Sequence, residues 1–251
     1  MFISCIIPAR NEAGHLRELI AEVLPIDEIT DIIIVEGGSS DDTYGEAVLI
    51  SEKYPDKIRV IKQNSVGKFN AVQSGVLIAR EKLLLIWDAD GTVPAKSTNL
   101  IIRKAISTGH TTIGDRLRGK REIGSMQFFN FLGNWAFALV WIPLLWRKPI
   151  DLLCGTKIIH VQVFAKIPSW LLKIDPYGDF SLIATARFFN FPIESVPVKY
   201  LARKYGETNI RRWNGGFRLL ITTLAVYFWF IGKNKYIAMF KNLLNKKVFR
   251  D

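Results

Sequence analysis

The sequence predicts an α/β fold built on a mostly parallel sheet with helices on its faces. Apolar runs that are typical of buried strands alternate with helical patterns along the first half of the chain. Parallel strands buried on both faces are near-continuous apolar runs, and their alternation with helices produces βαβ units. The predicted strands are residues 2–7, 31–35, 58–61, 82–87 and 111–114. The predicted helices lie around residues 12–23, 42–53, 68–79 and 97–107.

The composition indicates a basic protein that meets anionic partners at an apolar boundary. The 251 residues suffice for one large α/β domain, carry a net charge of +11 and are 49% hydrophobic. An anionic membrane surface or a phosphorylated substrate fits this combination. We expect no nucleic-acid partner, because the sequence has no recognition module and no arginine-rich stripe interleaved with aromatics. The two cysteines, Cys5 and Cys154, and the absence of a basic leader predict a reducing, cytosol-facing location.

Two carboxylates follow the most apolar of the predicted strands. Asp88 and Asp90 stand one residue apart directly after residues 83–87. Ligands collect where parallel strands end, and two aspartates at this spacing offer hard oxygen ligands to Mg²⁺ or Mn²⁺. Such a cation usually completes its shell with phosphate oxygens. The alternative is a plain polar turn, since Asp and Gly are ordinary turn residues.

Other strand ends carry polar segments of the same kind. Residues 8–12 (Pro-Ala-Arg-Asn-Glu) follow the first strand and residues 35–43 (Val-Glu-Gly-Gly-Ser-Ser-Asp-Asp-Thr) follow the second. Lys68 begins a helix, where the positive end of the helix dipole favours a phosphate. Neither a Gly-x-Gly-x-x-Gly fingerprint nor a Walker loop is present, which disfavours dinucleotide-binding and P-loop proteins.

Two uncharged segments in the second half predict contact with a membrane. Residues 125–146 predict an amphipathic helix that lies on the fold or on a membrane surface; Gln127, Asn130 and Asn134 share one face, and Pro143 interrupts the second half. Residues 219–232 are also uncharged, and a basic tail with aromatics follows them. We expect residues 216–251 to be a basic, membrane-associating helical segment. The alternatives are a membrane span for the first segment, and for the second a helical hairpin packed on the domain or on another subunit.

In this order, the strand-end motifs resemble those of a family 2 glycosyltransferase with the GT-A fold. The later motifs are similar to the branch of polyprenyl-phosphate (dolichyl-phosphate) mannosyl- and glucosyltransferases. These later motifs are residues 153–157 (Leu-Cys-Gly-Thr-Lys), 177–180 (Tyr-Gly-Asp-Phe) and 197–210. The resemblance covers about residues 2–215, and it predicts that residues 1–215 are the catalytic domain.

The resemblance implies roles for particular residues. Asp90 would be the direct ligand of Mg²⁺ or Mn²⁺, with Asp88 beside it, and Asp179 would be the general base or orient the acceptor. Arg203 and Lys204 would face phosphates, and Asp179, Asp90 and Arg203 would carry catalysis. The implied nucleotide-sugar donor site comprises Pro8, Ala9, Arg10, Glu12, Glu36, Lys68, Asp88, Ala89 and Asp90.

A basic cluster precedes the amphipathic segment and suits the phosphate of a lipid acceptor. Its members are Arg116, Arg118, Lys120 and Arg121. We assign the acceptor phosphate to Arg116 and Arg118 together with Arg203 and Lys204; the alternative for the cluster is a solvated charged loop. Two positions depart from the family pattern, because Gly37 and Gly178 stand where many relatives carry an acidic residue.

The expected activity is metal-dependent transfer of a sugar, with inversion, from a nucleotide donor to a lipid-linked acceptor. Polyprenyl phosphate is the favoured acceptor. One alternative is a glycosyltransferase that acts on a saccharide or glycolipid hydroxyl, which Asp179 would favour. Another is an inactive sugar-nucleotide-binding scaffold at the membrane. We expect the protein at the cytoplasmic face of a membrane, peripheral or monotopic, with a homo-oligomer through the C-terminal helices as a further expectation.

Overall fold

A seven-stranded sheet with helices on its faces forms the body of the protein. The computed structural model describes residues 1–145, 148–175, 177–203 and 215–232. The strands are β1 (Ile3–Ala9), β2 (Ile29–Glu36), β3 (Ile58–Lys62), β4 (Leu83–Ile86), β5 (Thr111–Asp115), β6 (Lys157–His160) and β7 (Ile193–Pro197). The helices are α1 (Leu16–Val23), α2 (Thr43–Lys53), α3 (Lys68–Ile78), α4 (Ala95–Thr108), α5 (Phe128–Val140), α6 (Ile142–Leu145), α7 (Val161–Ala165), α8 (Ser169–Ile174), α9 (Asp179–Phe188) and α10 (Gly215–Gly232).

The sheet is mixed, with the strand order β3-β2-β1-β4-β6-β5-β7. The strands β1 to β4 pair in parallel, which confirms the predicted βαβ units. The sequence did not indicate β6, which runs antiparallel between β4 and β5 and places Lys157 opposite Ile86 and Ile113. A four-residue strand that includes a lysine and a histidine lacks the apolar run that marks the other central strands.

The connections change direction at β1, and this position determines where ligands can bind. The chain leaves β1 toward β2 and β3 on one side, then returns to place β4 on the other side of β1. In open α/β sheets, ligands bind outside the carboxyl ends of the strands at such a switch point. The polar segments that follow β1, β2 and β4 therefore meet at one edge of the sheet.

The predicted amphipathic segment forms two helices, because the chain breaks between α5 and α6 next to Pro143. The orientation of α5 differs from that of an ordinary surface helix. Large apolar side chains face outward on it, while Asn130 and Asn134 are only half-exposed. The exposed large apolar residues of α5 are Phe128, Phe129, Leu132, Leu139 and Val140.

The helix α10 is longer than the uncharged segment seen in the sequence, and by length and composition it could cross a membrane. One of its faces packs on the domain: Val226 is fully buried, and Trp141 Nε1 donates to Thr223 Oγ1 at 3.1 Å. The Trp229 ring stacks on Phe188 with 3.9 Å between centroids. The opposite face exposes Phe217, Leu220, Ile221, Leu224, Phe228 and Ile231. Part of the expected C-terminal segment thus packs on the α/β body, while residues 233–251 lie outside the described residues.

Candidate active site

A cavity of about 460 Å³ lies at the carboxyl ends of β1, β2 and β4, where the switch point predicts a ligand site. Most of the site residues expected from the sequence line this cavity. They are Pro8, Ala9, Arg10, Glu12, Lys68, Asp88, Ala89, Asp90, Arg116, Asp179 and Arg203. Its wall is completed by Gly37, Gln63, Gly67, Ala71, Thr92, Leu153, Tyr177 and Tyr200. Eight of these nineteen side chains are charged, four acidic and four basic.

Asp88 is paired with the lysine that begins α3. Lys68 Nζ lies 2.6 Å from Asp88 Oδ1. Burial by itself lowers the pKa of Lys68, but the carboxylates of Asp88 and Asp179 outweigh it and hold that pKa above its usual value. Gly155 is required behind Asp88, because a Cβ at this position would lie 1.8 Å from Asp88 Oδ2. The Gly of the Cys-Gly-Thr-Lys motif therefore makes room for the carboxylate.

Asp90 is held by an arginine from the segment that follows β7. Arg203 NH2 lies 2.5 Å from Asp90 Oδ2, and Thr92 donates to Oδ1 from its amide at 3.1 Å and its hydroxyl at 2.8 Å. Burial raises the pKa of Asp90, but the Arg203 guanidinium and these hydrogen bonds outweigh burial, so the pKa lies below its usual value. Asp90 is therefore an ionised carboxylate, as a metal ligand must be.

Glu12 is a half-buried acid on the same wall. Burial, followed by the charge of Asp90, raises the pKa of Glu12 from 4.5 to about 7. Its Oε2 atom is buried and has no hydrogen-bond partner among the residues that the structure describes. Burial and the neighbouring Asp90 carboxylate thus disfavour the charged form of Glu12, and a cation bound nearby would favour it.

Asp179 is the first residue of α9 and lines the cavity. Lys157 Nζ donates to its Oδ1, and the side chain of Lys157 is fully buried. The preceding Gly178 has φ +79°, and a Cβ there would lie 1.7 Å from the Phe69 ring. This explains the missing second acid, because Phe69 fills the space that a side chain at position 178 would need.

The basic cluster does not act as one unit. Arg116 lines the cavity and makes two hydrogen bonds to the buried Asp151, from Nε at 2.6 Å and from NH2 at 3.0 Å. Its guanidinium also lies over the Tyr200 ring, 5.1 Å from the centroid. Arg118 does not line the cavity, because its guanidinium binds Asp115 at 2.6 Å and also contacts Ser195. The expectation that Arg118 faces the acceptor phosphate is not met by this placement.

Glu36 and Lys204 are also site residues expected from the sequence. Glu36 is buried, its carboxylate accepts the amide hydrogen of Ser39 at Oε1, and its neighbour Gly37 lines the cavity. The assignment of Glu36 to the nucleotide site stays a prediction. Lys204 lies outside the described residues, so its assignment to a phosphate stays a prediction.

Sequence reasoning missed several residues of the wall. Gln63 follows β3 just as Asp88 follows β4, so the strand-end argument could have found it. Tyr177 and Tyr200 lie inside the motifs at residues 177–180 and 197–210, but they carry no charge that would mark them as site residues. Lys157, which does not line the cavity, is the last residue of the Leu-Cys-Gly-Thr-Lys motif, but the sequence analysis assigned it no role, because lysine is ordinarily an exposed residue.

The chemistry of this site suits a divalent cation held together with a diphosphate. Among the described residues, no three His, Cys, Asp or Glu side chains converge into a complete metal site. Mg²⁺ usually takes only one or two carboxylates from the protein and completes its shell with phosphate oxygens and water. Asp90, with Asp88 beside it, meets that requirement, and Glu12 adds a third carboxyl group to the same cavity.

Residues 4–162, more than half of the sequence, match the family model described as glycosyl transferase family 2. The chain belongs to glycosyl transferase family 2. The family resemblance seen in the motifs is thereby confirmed, and with it the assignment as a glycosyltransferase.

The chain is similar to curated dolichyl-phosphate glucosyltransferases. The human dolichyl-phosphate beta-glucosyltransferase is 26% identical over 218 residues, which are 79% of this chain and 67% of the human protein. The Drosophila melanogaster protein of the same name is 28% identical over 218 residues, 79% of this chain and 66% of the fly protein. The chain thus spans about two thirds of the length of these relatives.

Solved structures confirm the GT-A fold. Glucosyl-3-phosphoglycerate synthase from Mycobacterium tuberculosis, in complex with Mn²⁺, uridine-diphosphate-glucose and phosphoglyceric acid, gives a TM-score of 0.66 at 16% identity. The match covers 90% of this chain and 79% of the synthase. The same synthase in complex with Mg²⁺ and uridine-diphosphate also gives a TM-score of 0.66. At this identity the likeness concerns the fold.

Proposed function

We propose that the protein transfers a sugar, with inversion, from a nucleoside-diphosphate sugar to a lipid-linked acceptor. Polyprenyl phosphate is the acceptor that we favour. The observation that carries this proposal is the arrangement of Asp88 and Asp90 with Lys68 and Arg203 in one cavity at the switch point of the sheet. Two carboxylates beside two cations suit a diphosphate that arrives with a divalent cation. The family and the names of the curated relatives support the same activity.

The donor diphosphate would lie along the ends of β1 and β4. Breaking the bond between sugar and diphosphate develops negative charge on the leaving phosphate, and preorganised positive groups stabilise that charge most in a partly desolvated cavity. Mg²⁺ or Mn²⁺, when bound at Asp90, would supply part of this stabilisation. Lys68 and Arg203 line the same wall, and each would exchange its carboxylate partner for a phosphate oxygen.

The acceptor would bind beside Asp179 and Arg116, which also line the cavity. A phosphate acceptor carries about 1.5 to 2 negative charges near neutral pH, so it needs no general base to become a nucleophile. Arg116 supplies positive charge here, although its hydrogen bonds to Asp151 leave it only part of its donor capacity. Inversion follows when the phosphate oxygen attacks the face of the sugar opposite the leaving diphosphate.

The apolar outer faces of α5 and α10 suit a lipid-linked acceptor. The two helices are joined by the Trp141–Thr223 hydrogen bond and by a second one from Tyr227 to the carbonyl of Val140. Between them they expose eleven large apolar side chains, more than a scattered surface distribution would give. With Lys120 and Arg121 exposed ahead of α5, this surface would rest on an anionic membrane and bring the cavity to the acceptor.

A second candidate is transfer to a saccharide or glycolipid hydroxyl. Asp179 favours it, because its carboxylate lines the cavity where a general base would be needed. The two candidates differ in the acceptor alone, so one transfer assay separates them.

The test has two stages. Binding of UDP, GDP and their sugars is first measured calorimetrically with and without Mn²⁺; metal-dependent binding of one nucleotide is expected. The bound nucleotide sugar is then offered with a short polyprenyl phosphate and, in parallel, with a glycolipid that has a free hydroxyl. Transfer to the polyprenyl phosphate supports the proposal. Transfer to the hydroxyl alone promotes the second candidate. Nucleotide binding without transfer to either acceptor would favour the inactive sugar-nucleotide-binding scaffold, and the absence of any nucleotide binding would refute all three.

A further inference from the structure

The ion pair between Lys157 and Asp179 joins the core of the sheet to the cavity. Lys157 is the first residue of β6, the strand that lies between β4 and β5. Its side chain is fully buried. Its Nζ donates to Oδ1 of Asp179, which lines the cavity, whereas Lys157 itself does not. The ammonium group therefore reaches the cavity only through this carboxylate.

The stability of the fold does not by itself account for a buried pair of charges such as Lys157 and Asp179. Removing two charges from water is costly, and well-packed apolar residues of similar volume often serve the fold as well or better. Lys157 replaces what would otherwise be an apolar residue in a central strand whose neighbours Ile158 and Ile159 are fully buried. A lysine retained at this depth indicates that its charge acts on the cavity.

The surroundings show which charge needs compensation. Asp179 interacts electrostatically with Lys68 on the cavity side and with the buried Asp175 behind it. Asp175 already accepts the amide hydrogen and the hydroxyl of Ser181, at 2.7 and 2.8 Å. Without Lys157, the Asp179 carboxylate would face the cavity with the Asp175 carboxylate behind it. Lys68 is engaged with Asp88, and Arg116 is engaged with Asp151.

We infer that Lys157 is a positioning residue that cancels the charge of Asp179, so that the cavity admits an anionic acceptor. This inference rests on the proposed transfer to a phosphate acceptor and deepens it. Asp179 then fixes the start of α9 and the shape of the acceptor site, but it takes no proton from the acceptor. An uncompensated carboxylate at this place would repel a phosphate, because like charges at close range in a partly dry site cost far more than in water.

The experiment is a double-mutant cycle on the full chain. The variants are Lys157→Met, Lys157→Arg, Asp179→Asn and the double variant Lys157→Met with Asp179→Asn, and Lys96→Met on the exposed start of α4 is the matched control. Thermal unfolding is recorded for each variant. The kcat and KM for donor and for polyprenyl phosphate are measured separately.

We expect Lys157→Met to raise the KM for polyprenyl phosphate about tenfold or more, with donor KM changed by less than about threefold. Lys157→Arg keeps the charge and should stay near the wild type. The double variant removes both charges and should recover most of the lost acceptor affinity, with kcat within about tenfold of the wild type.

The inference is overturned if the double variant loses kcat by the 10²–10⁴-fold that is typical of a missing general base, as Asp179→Asn then would too. It is equally overturned if Lys157→Met weakens donor and acceptor alike and the double variant recovers nothing, since Lys157 would then be a purely structural residue. A wild-type protein that transfers sugar to no polyprenyl phosphate refutes the proposed function itself. Failure of the cycle in a wild type that does use this acceptor refutes the inference alone.

Discussion

Arg203 and Asp90 are 113 residues apart in the chain, yet the guanidinium lies 2.5 Å from the carboxylate. This contact ties the segment after β7 to the end of β4 and closes one side of the cavity. A divalent cation bound at Asp90 would compete with the same guanidinium for the same oxygen. A diphosphate that arrives with the cation would give the displaced Arg203 guanidinium an anionic partner, so the pair would favour joint binding of metal and donor.

Replacement of Arg203 by alanine should therefore impair transfer more than folding. We expect kcat/KM to fall about a hundredfold, which is typical when one positive group or donor that stabilises developing charge is removed. Steady-state kinetics with the nucleotide sugar identified by calorimetry measures the effect. Arg103→Ala on the exposed face of α4 serves as the control. An unchanged kcat/KM would mean that Arg203 is only a surface charge.

The substitution Asp90→Ala should remove metal-dependent donor binding and leave the fold intact. Loss of the carboxylate deprives the cation of its direct protein ligand, so donor affinity in Mn²⁺ should fall by more than about tenfold. Calorimetric titration with and without Mn²⁺ measures this, beside Asp56→Ala at an exposed position. Equal donor affinity with and without metal in the wild type would refute the assignment of Asp90.

Glu12 should make the stability of the protein depend on pH. Burial, followed by the charge of Asp90, raises the pKa of Glu12 from 4.5 to about 7 in the folded protein. The folded state then binds the proton more tightly, so this group stabilises it below pH 4.5, and the stabilisation is lost as the pH rises through about 7.

The variant Glu12→Gln has no proton to lose at this position. Its melting temperature relative to the wild type should therefore increase as the pH rises from 4.5 to about 7. Thermal unfolding across this range measures the difference. Glu52→Gln, at an exposed position on α2, should show no such trend. A constant difference for Glu12→Gln would contradict the raised pKa.

Much of the site could be predicted because its residues follow strands. Asp88, Asp90 and Glu12 come directly after apolar runs, and parallel strands bring their carboxyl ends to one edge. The contacts within the site could not be predicted, since pairing of Arg203 with Asp90 depends on how a distant segment returns over the sheet. The commitment of Arg118 to Asp115 and Ser195 depends on side-chain geometry that charge alone does not reveal.

The other unpredicted features depend on tertiary packing. An antiparallel strand of four residues gives too short a pattern to recognise, so neither β6 nor the burial of Lys157 was predicted. The periodicity of residues 125–146 correctly indicated two faces, but it could not show that the apolar face of α5 is the outer one. A hydrophobic pattern identifies a stripe, and only its surroundings decide whether that stripe meets protein, lipid or water.

Gly178 should tolerate no side chain. Its φ of +79° strains any L-residue, and a Cβ would lie 1.7 Å from the Phe69 ring. Gly14 provides the matched control, because its φ is +82° and nothing lies within 4 Å of its Cβ position. We expect Gly14→Ala to lower the free energy of unfolding by about 1–2 kcal/mol from backbone strain alone.

Gly178→Ala should lower the free energy of unfolding by ~1–3 kcal/mol more than Gly14→Ala does, because it adds overpacking to the same strain. Chemical denaturation of both variants measures the two free energies. In a third variant, Gly178→Ala with Phe69→Ala, the steric part should be smaller, and a double-mutant cycle isolates it. Equal losses for Gly14→Ala and Gly178→Ala would show that Phe69 does not occupy this space.

The outer faces of α5 and α10 should decide membrane binding. Deleting residues 217–251 is a poor test, because it would also uncover the partners of the buried Val226 and of Trp229. Charges placed on the outer faces leave this packing intact. The paired substitutions are Leu224→Glu with Phe228→Glu on α10, and Phe129→Glu with Leu132→Glu on α5; all four residues are exposed by more than half.

Each pair should weaken binding to anionic vesicles by about tenfold or more, since burying one such side chain in lipid contributes about 1.5–3 kcal/mol. Vesicle flotation at low and high salt measures binding and separates the apolar part from the salt-sensitive attraction of the basic residues. The control is Leu49→Glu on α2, where Leu49 is similarly exposed but far along the chain from both helices. If only the α5 pair releases the protein, α5 is the anchor and the assignment of the C-terminal segment fails. If neither pair does, these faces meet protein instead of lipid.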